Sequence, residues 1–535
     1  MIHTIQAGEW KRFGLAAVLC AAVFIVIQLL PMAAEMPEAP AAQVLEKSKA
    51  EKLALDFAAE QFKLPAAAAH TVHQSDSLLY GYLSKSELLT EYGSQYGLLF
   101  PTDTYQTEIE LNGGYTAYVY THMETGRVVA WHVLGAAPAE PMDDEEASKL
   151  AAERGLADGS LTGGTPGDNG ETIYYPKGYA IGDAKLALTI AAGYLDGTEE
   201  AVTAYIPRFV VPAGYETYVN EQQQLAGQLS TYGFLLMSGV MFILAIVYSI
   251  LYARHTSFRR GLLLSAIFLV FYLYNNYNTI GGIRASIGEA ANADVYVAVM
   301  FVISTILSVL LGLSVYFSLV AGDGMWRAKL KPLWPRFGDK GYGEYIWRSV
   351  GLGYLFAVII LGIQSVVLLA LQLMTGAWST TDVSQSAYNM VSPLLLPVMA
   401  WCAAISEEAV YRMFGIALVE RLVKNRFVAI LVPTVIWAFG HVSYPIFPST
   451  TRLFELIVIG FVFAAIFLRY GFITAVFAHA IFDSILMSSS LMLMGGSLNI
   501  AAGLFYIALP ALIAWLIRWR HRRWAASGGS LPRLS

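Results

Sequence analysis

Apolar residues dominate ten stretches of roughly membrane-spanning length along this chain. The first runs from about Gly14 to Ala34, behind Lys11 and Arg12. About 20 apolar residues suffice to cross a bilayer. The other nine crowd the second half, at about 232–253, 261–280, 296–320, 347–374, 391–420, 427–446, 452–469, 472–494 and 499–518. Between the first run and the rest, residues 35–230 have a different texture. Glu46 to Phe62 shows helical periodicity with its charges on one side. Tyr115 to His122 and Arg127 to Leu134 are β-rich runs around Met-Glu-Thr-Gly, a hairpin signal. Asp143 to Leu156 predicts another helix, and Gly159 to Gly170 a Gly/Thr/Asp loop. Together these patterns predict an all-α polytopic membrane bundle of about ten transmembrane helices with an inserted extracytoplasmic α+β soluble domain.

Composition sharpens that picture. Of 535 residues, 56% are hydrophobic and 14% charged, against roughly 25% charged in soluble domains. Residues 35–230 hold 28 acidic and 11 basic side chains, a balance of −17, and the remainder is +11, which sums to the net −6. Opposite signs imply two environments: an acidic soluble domain, and membrane helices with basic loops. A soluble part this acidic would repel phosphate, so nucleic acid is excluded as a partner. Basic clusters fall at Lys11/Arg12, Arg254/Arg259/Arg260, Arg327 to Lys340, Arg421/Lys424/Arg426 and Arg518 to Arg523, with Arg469 alone. Threading ten spans from a cytoplasmic N-terminus puts them all in the cytoplasm. The expected division is then an N-terminal anchor (1–34), the extracytoplasmic acidic domain (35–230), additional transmembrane helices (231–344), a second block of membrane helices (345–520) and a cytoplasmic tail (521–535). The anchor is expected to stay uncleaved, because Pro interrupts the only cleavage-like stretch, Ala39-Pro-Ala41. Cys20 and Cys402 both lie in apolar runs and read as small core residues. The soluble domain therefore relies on no disulfide.

Candidate chemistry sits where a bilayer tolerates it least. Glu407, Glu408 and Arg412 share the 391–420 run, His441 lies in the next, and His479 and Asp483 in a later one. Charged groups at bilayer depth cost at least a few kcal/mol, so they persist where they pair or do chemistry. Glu408 and Arg412, four apart, share a helix face, while Glu407 points about 100° away. The pair neutralises itself and leaves Glu407 for the cavity, where a partly desolvated carboxylate is suited to take a proton from water. His441 closes Trp437-Ala-Phe-Gly-His441, and His479 and Asp483 again share a face. A neutral imidazole donates to a developing oxyanion, and a neighbour one turn away fixes its tautomer.

Glu-Glu-x-x-x-Arg, then aromatic-x-x-x-His, then His-x-x-x-Asn/Asp, each on its own membrane helix, resembles the CPBP family of intramembrane glutamic proteases. That family includes the CAAX prenyl endopeptidases and bacterial Abi-type proteins. The resemblance spans roughly residues 345–520. It implies a membrane endopeptidase without metal or cofactor, acting on a membrane-associated protein or peptide in the bilayer of the cell membrane. Glu407 would be the general base and His441 would help position the water. His479 and Asp483 would stabilise the oxyanion, with Glu408 and Arg412 in the paired positions. Trp437 stands where the family usually has Phe, and Asp483 where many members have Asn. An Asp donates to an oxyanion only when protonated. Three alternatives compete: a zinc site of Glu407, His441 and His479, a non-catalytic immunity or sensory scaffold, and a transporter. The helix-then-hairpin order of the soluble domain resembles PepSY-type domains and assigns it no function. His70, His73, His122 and His132 match no metal spacing and are expected to be solvated or on strand faces; His3, His255 and His521 are expected to be solvated.

The topology is testable directly. A reporter fused near Gly170 should be active outside and silent in the cytoplasm, and one at Lys340 the reverse. Both fusions reporting from one side would refute the ten-span arrangement.

Overall fold

The computed structural model describes residues 2–3, 5–31, 44–157, 159–161, 163–167, 170–196 and 199–527. The Ala39-Pro-Ala41 stretch and the tail past 527 lie outside them. Eight described helices are long and apolar enough to cross a membrane: Ala7–Leu29, Ala213–Leu251, Ala293–Ala328, Tyr342–Thr375, Pro393–Val423, Thr451–Tyr470, Phe472–Leu493 and Ser497–Ala526. The protein is thus a multi-pass membrane protein with a small antiparallel sheet domain. Two of the ten expected runs form shorter helices, Leu262–Asn278 of 17 residues and Arg426–Phe439 of 14. At 1.5 Å per residue they reach about 26 and 21 Å, short of a hydrocarbon core about 30 Å thick. Each gives way at its end to a turn that faces the interior of the bundle.

The sheet domain contains strands β1 (Ala66–Ser75), β2 (Asp103–Leu111), β3 (Tyr115–His122), β4 (Val128–Leu134), β5 (Ala137–Pro138), β6 (Thr165–Pro166), β7 (Glu171–Tyr174), β8 (Ala180–Ile181), β9 (Ala184–Leu195) and β10 (Glu199–Val210). They form one antiparallel sheet in the order β1-β2-β3-β4-β10-β9-β7-β6, with β5 and β8 also on β9. The expected hairpin is β3–β4, and the two expected helices are Lys47–Phe62 and Asp144–Glu153. Period-two alternation turns Ile109, Ala117, Val119, Trp131, Val133 and Tyr205 to one face, where they bury with Ala54, Ala58 and Phe62 of the Lys47–Phe62 helix. The helix after β10, Ala213–Gln228, continues through a widened segment, Leu229–Leu236, into the bundle as Met237–Leu251. One continuous helix therefore joins the two parts.

The other sheet face is polar, and it docks on the membrane region. Arg284, on the short helix Ile280–Ile287, reaches Glu108 at 2.6 Å. The Gln74 amide donates to the Ala285 carbonyl at 2.7 Å, and Tyr118 donates to that of Ala290 at 2.9 Å. Glu289 accepts from Tyr120 at 2.8 Å and meets His132 Nδ1 at 2.6 Å. That bond lifts His132 above the usual histidine range. At the sheet edge, Asn389 binds β1 twice: its Oδ1 accepts from the His73 N–H at 2.7 Å and its Nδ2 donates to the His73 carbonyl at 2.9 Å. A two-stranded ribbon, β11 (Trp378–Ser379) with β12 (Ile446–Phe447), sends Trp378 and Phe447 into the sheet domain's own core.

The histidines of the sheet domain lie on strands, but His73 and His122 are buried rather than solvated. His521 is also buried, among Phe337, Tyr342 and Trp524, which corrects the expectation of a solvated side chain. Its basic neighbours hid an aromatic pocket formed by residues distant in sequence.

Arg284→Ala should loosen the docking. Glu108 is only 9% exposed, and stranding a buried carboxylate costs about 3 kcal/mol. Amide exchange in β1–β3 and in 280–292 should rise, and Glu108→Gln should restore part of the protection. Unchanged exchange would refute the interface.

Candidate active site

Pro393–Val423 is not one regular helix. Val398–Glu407 is α-helical, Glu408–Ile416 is wound wider with i→i+5 bonds, and Ala417–Val423 is α-helical again. Such widened turns recur at functional sites because they re-aim side chains. Glu407, the last residue of the regular part, lines a cavity of about 620 Å³. Glu408 and Arg412 lie behind it, 0% and 1% exposed, with Arg412 Nη1 3.2 Å from Glu408 Oε1.

Arg412 is held mostly by faces. Its guanidinium carbon lies 4.2 Å from the Trp437 ring centre and 5.3 Å from that of Phe463, a cation–π arrangement strengthened by desolvation. Its N–H groups find no hydrogen-bond acceptor among the described residues, so the Glu408 contact is electrostatic and off the bonding direction. The same Glu408 oxygen faces His479 Nδ1 at 2.9 Å. A carboxylate accepts, so Nδ1 carries the proton and Nε2 is turned to the cavity. There it lies 3.3 Å from Asp483 Oδ2 and 3.7 Å from Glu407 Oε2. Phe463 stacks on the ring, with centres 4.4 Å apart.

His441 follows Arg426–Phe439, whose helix stops at Gly440. Its Nδ1 is 3.0 Å from the Trp437 carbonyl. A carbonyl only accepts, which again fixes the proton on Nδ1. Nε2 then faces Glu407 Oε1 at 3.8 Å. The structure thus gathers all six sequence candidates: Glu407, His441, His479 and Asp483 on the cavity, Glu408 and Arg412 just behind.

Two participants escaped the sequence reading. Trp437, read only as the aromatic residue standing where the family usually has Phe, donates its indole N–H to Glu407 Oε2. The signal was present: Trp in place of Phe adds one donor at the ring edge. The second is Arg452 with Glu455, which opens the 452–469 run as Arg-x-x-Glu. Glu455 is fully buried, paired with Arg452 and bonded by Gln364 at 2.7 Å. Arg452 lines the cavity and lies over Tyr444, which stacks on His441.

Carboxylates, imidazoles and a guanidinium thus surround one cavity within a helical membrane bundle. Residues 389–485 match the family model described as Type II CAAX prenyl endopeptidase, Rce1-like. All six candidates fall in that segment, which is consistent with the CPBP resemblance. The matched part, under a fifth of the chain, is similar to an Rce1-like protease domain. No curated protein and no solved structure matches the chain.

Arg412→Ala should leave Glu408 buried without its cation, at a cost on the order of 3–5 kcal/mol. Melting in detergent should fall accordingly. Glu408→Gln should recover part of the loss, since the amide oxygen still accepts from His479, whereas Glu407→Gln should not. The opposite pattern of rescue would exchange the two glutamates.

Proposed function

We propose that the chain is an intramembrane endopeptidase that hydrolyses a peptide bond of a membrane-associated protein or peptide with water activated by Glu407, without a metal. One observation carries this reading. Two imidazoles from different helices approach opposite oxygens of the Glu407 carboxylate, at 3.8 and 3.7 Å. Those gaps exceed a direct hydrogen bond and suit one bridging water. Glu407 takes the proton of that water, and His441 orients it through the unprotonated Nε2. The Trp437 N–H holds Oε2 in place, leaving Oε1 to act as the base. His479 and Asp483 lie where the tetrahedral oxyanion forms, with His479, protonated on both nitrogens, donating from Nε2 and a protonated Asp483 as the second donor. Glu408 sets the ring of His479 through Nδ1, and Arg412 pairs with Glu408. The leaving amine recovers the proton from Glu407, so hydrolysis is complete with no co-reactant besides water.

The same reading places the protein in the cell membrane with ten spans, both termini cytoplasmic, and residues 35–230 outside as the domain that meets extracytoplasmic protein. The two short helices, Leu262–Asn278 and Arg426–Phe439, then count as spans because their polar ends border the cavity instead of lipid.

Glu407→Gln should fold and insert normally yet lose about 10²–10⁴-fold in turnover, the usual contribution of a general base. New peptide termini in membranes from cells carrying the wild type, absent with Glu407→Gln, would map the cleavage sites. Identical profiles would sink the assignment. Activity abolished by a strong chelator and restored by zinc alone would transfer Glu407, His441 and His479 to the zinc alternative.

A further inference from the structure

Part of the cavity that Glu407 lines is built outside residues 389–485, in part by the Leu262–Asn278 helix. Tyr272, Asn275, Asn276 and Thr279 of this helix line the cavity, and their spacing of three and four puts them on one face. Two of the four are already bonded. The Asn276 amide donates to Ser308 Oγ at 2.7 Å, and the Thr279 hydroxyl to the Asn275 carbonyl at 3.0 Å. The Asn275 carboxamide, like the Tyr272 hydroxyl, has no hydrogen-bond partner among the described residues, and Asn275 lines the cavity. A primary amide in a membrane cavity carries two donors and an acceptor that lower its free energy only when something meets them.

The reaction supplies what meets them. A helical substrate keeps its backbone groups bonded internally, and hydrolysis needs a carbonyl free of that bond. The substrate must therefore unwind beside Glu407, exposing N–H and C=O groups in a low-dielectric setting. Asn389 demonstrates within this molecule how a carboxamide receives extended backbone, by taking the N–H and the C=O of His73 together. On the basis of the endopeptidase reading, we infer that Asn275 is a substrate-binding residue. It takes the N–H and C=O of one residue of an extended peptide lying in the cavity that Glu407 also lines. The contact is to backbone, so it holds the unwound segment without selecting its side chains, and it forms equally in ground and transition states.

The test uses purified full-length protein in mixed micelles. The probe is a palmitoylated, internally quenched peptide selected from a library for binding to the Glu407→Gln protein. Asn275→Leu should raise KM roughly tenfold to a hundredfold, the size of two neutral hydrogen bonds, while kcat changes less than about twofold. Asn275→Asp, which keeps the acceptor and loses both donors, should fall between. Binding of the same peptide to Glu407→Gln and to Glu407→Gln/Asn275→Leu should differ by the same factor. Melting should not move, because the carboxamide bonds nothing in the free protein. Unchanged KM and affinity in both Asn275 variants would overturn the inference, as would a fall in melting temperature that accounts for the lost activity. A wild type that binds but never cleaves would defeat the endopeptidase reading alone, since the binding comparison still judges Asn275.

Discussion

Glu408 is the residue around which the other charges of the bundle are arranged. It is fully buried, and one of its oxygens meets both Arg412 and His479. Desolvating either ion of a buried pair costs several kcal/mol, and mutual attraction offsets this only when the surroundings complete the pairing. Here the completion comes from three directions. Trp437 and Phe463 present ring faces to the guanidinium, and Phe463 also stacks on His479. The widened turns from Glu408 to Ile416 carry Glu408 and Arg412 behind the cavity while Glu407 stays on it. Removing one member strands the charge of another, so the cluster stands or falls as a unit.

The sheet domain is coupled to this site through the segments that cover the cavity. Ile280–Ile287 and residues 383–390 both contribute to its lining; the first is bound by the polar sheet face and the second by the sheet edge at His73. They also grip each other closely. A Cβ at Gly281 or Gly282 would run into the backbone of Asn389 or Ser384, so only glycine allows that approach. Asn389 connects the two levels: it sits at the start of the protease segment and binds the backbone of β1. A force on the sheet domain therefore has a short, rigid route to the cavity wall. The continuous helix Ala213–Leu251 provides a second connection.

Much of this was legible in the chain because it depends on local periodicity. Runs of apolar residues mark the eight long helices, and alternation marks the β3–β4 hairpin. The i,i+4 spacings of Glu408 with Arg412 and of His479 with Asp483 follow from the helical repeat alone. Charges repeated at bilayer depth also had to converge, since an isolated one would not be tolerated. The length of the Leu262–Asn278 and Arg426–Phe439 helices was not legible, because an apolar run continues through a turn that the bundle buries.

What only tertiary structure decided is which partner each group found. Trp437 donates to Glu407 because two helices cross at that point, and no spacing along the chain encodes a crossing. Asn275 and Glu407 line one cavity although they lie more than a hundred residues apart in sequence. His521 is buried and His73 is docked for the same reason. Sequence determines which groups cannot stay unpaired in a low-dielectric interior; packing determines the geometry in which they are paired.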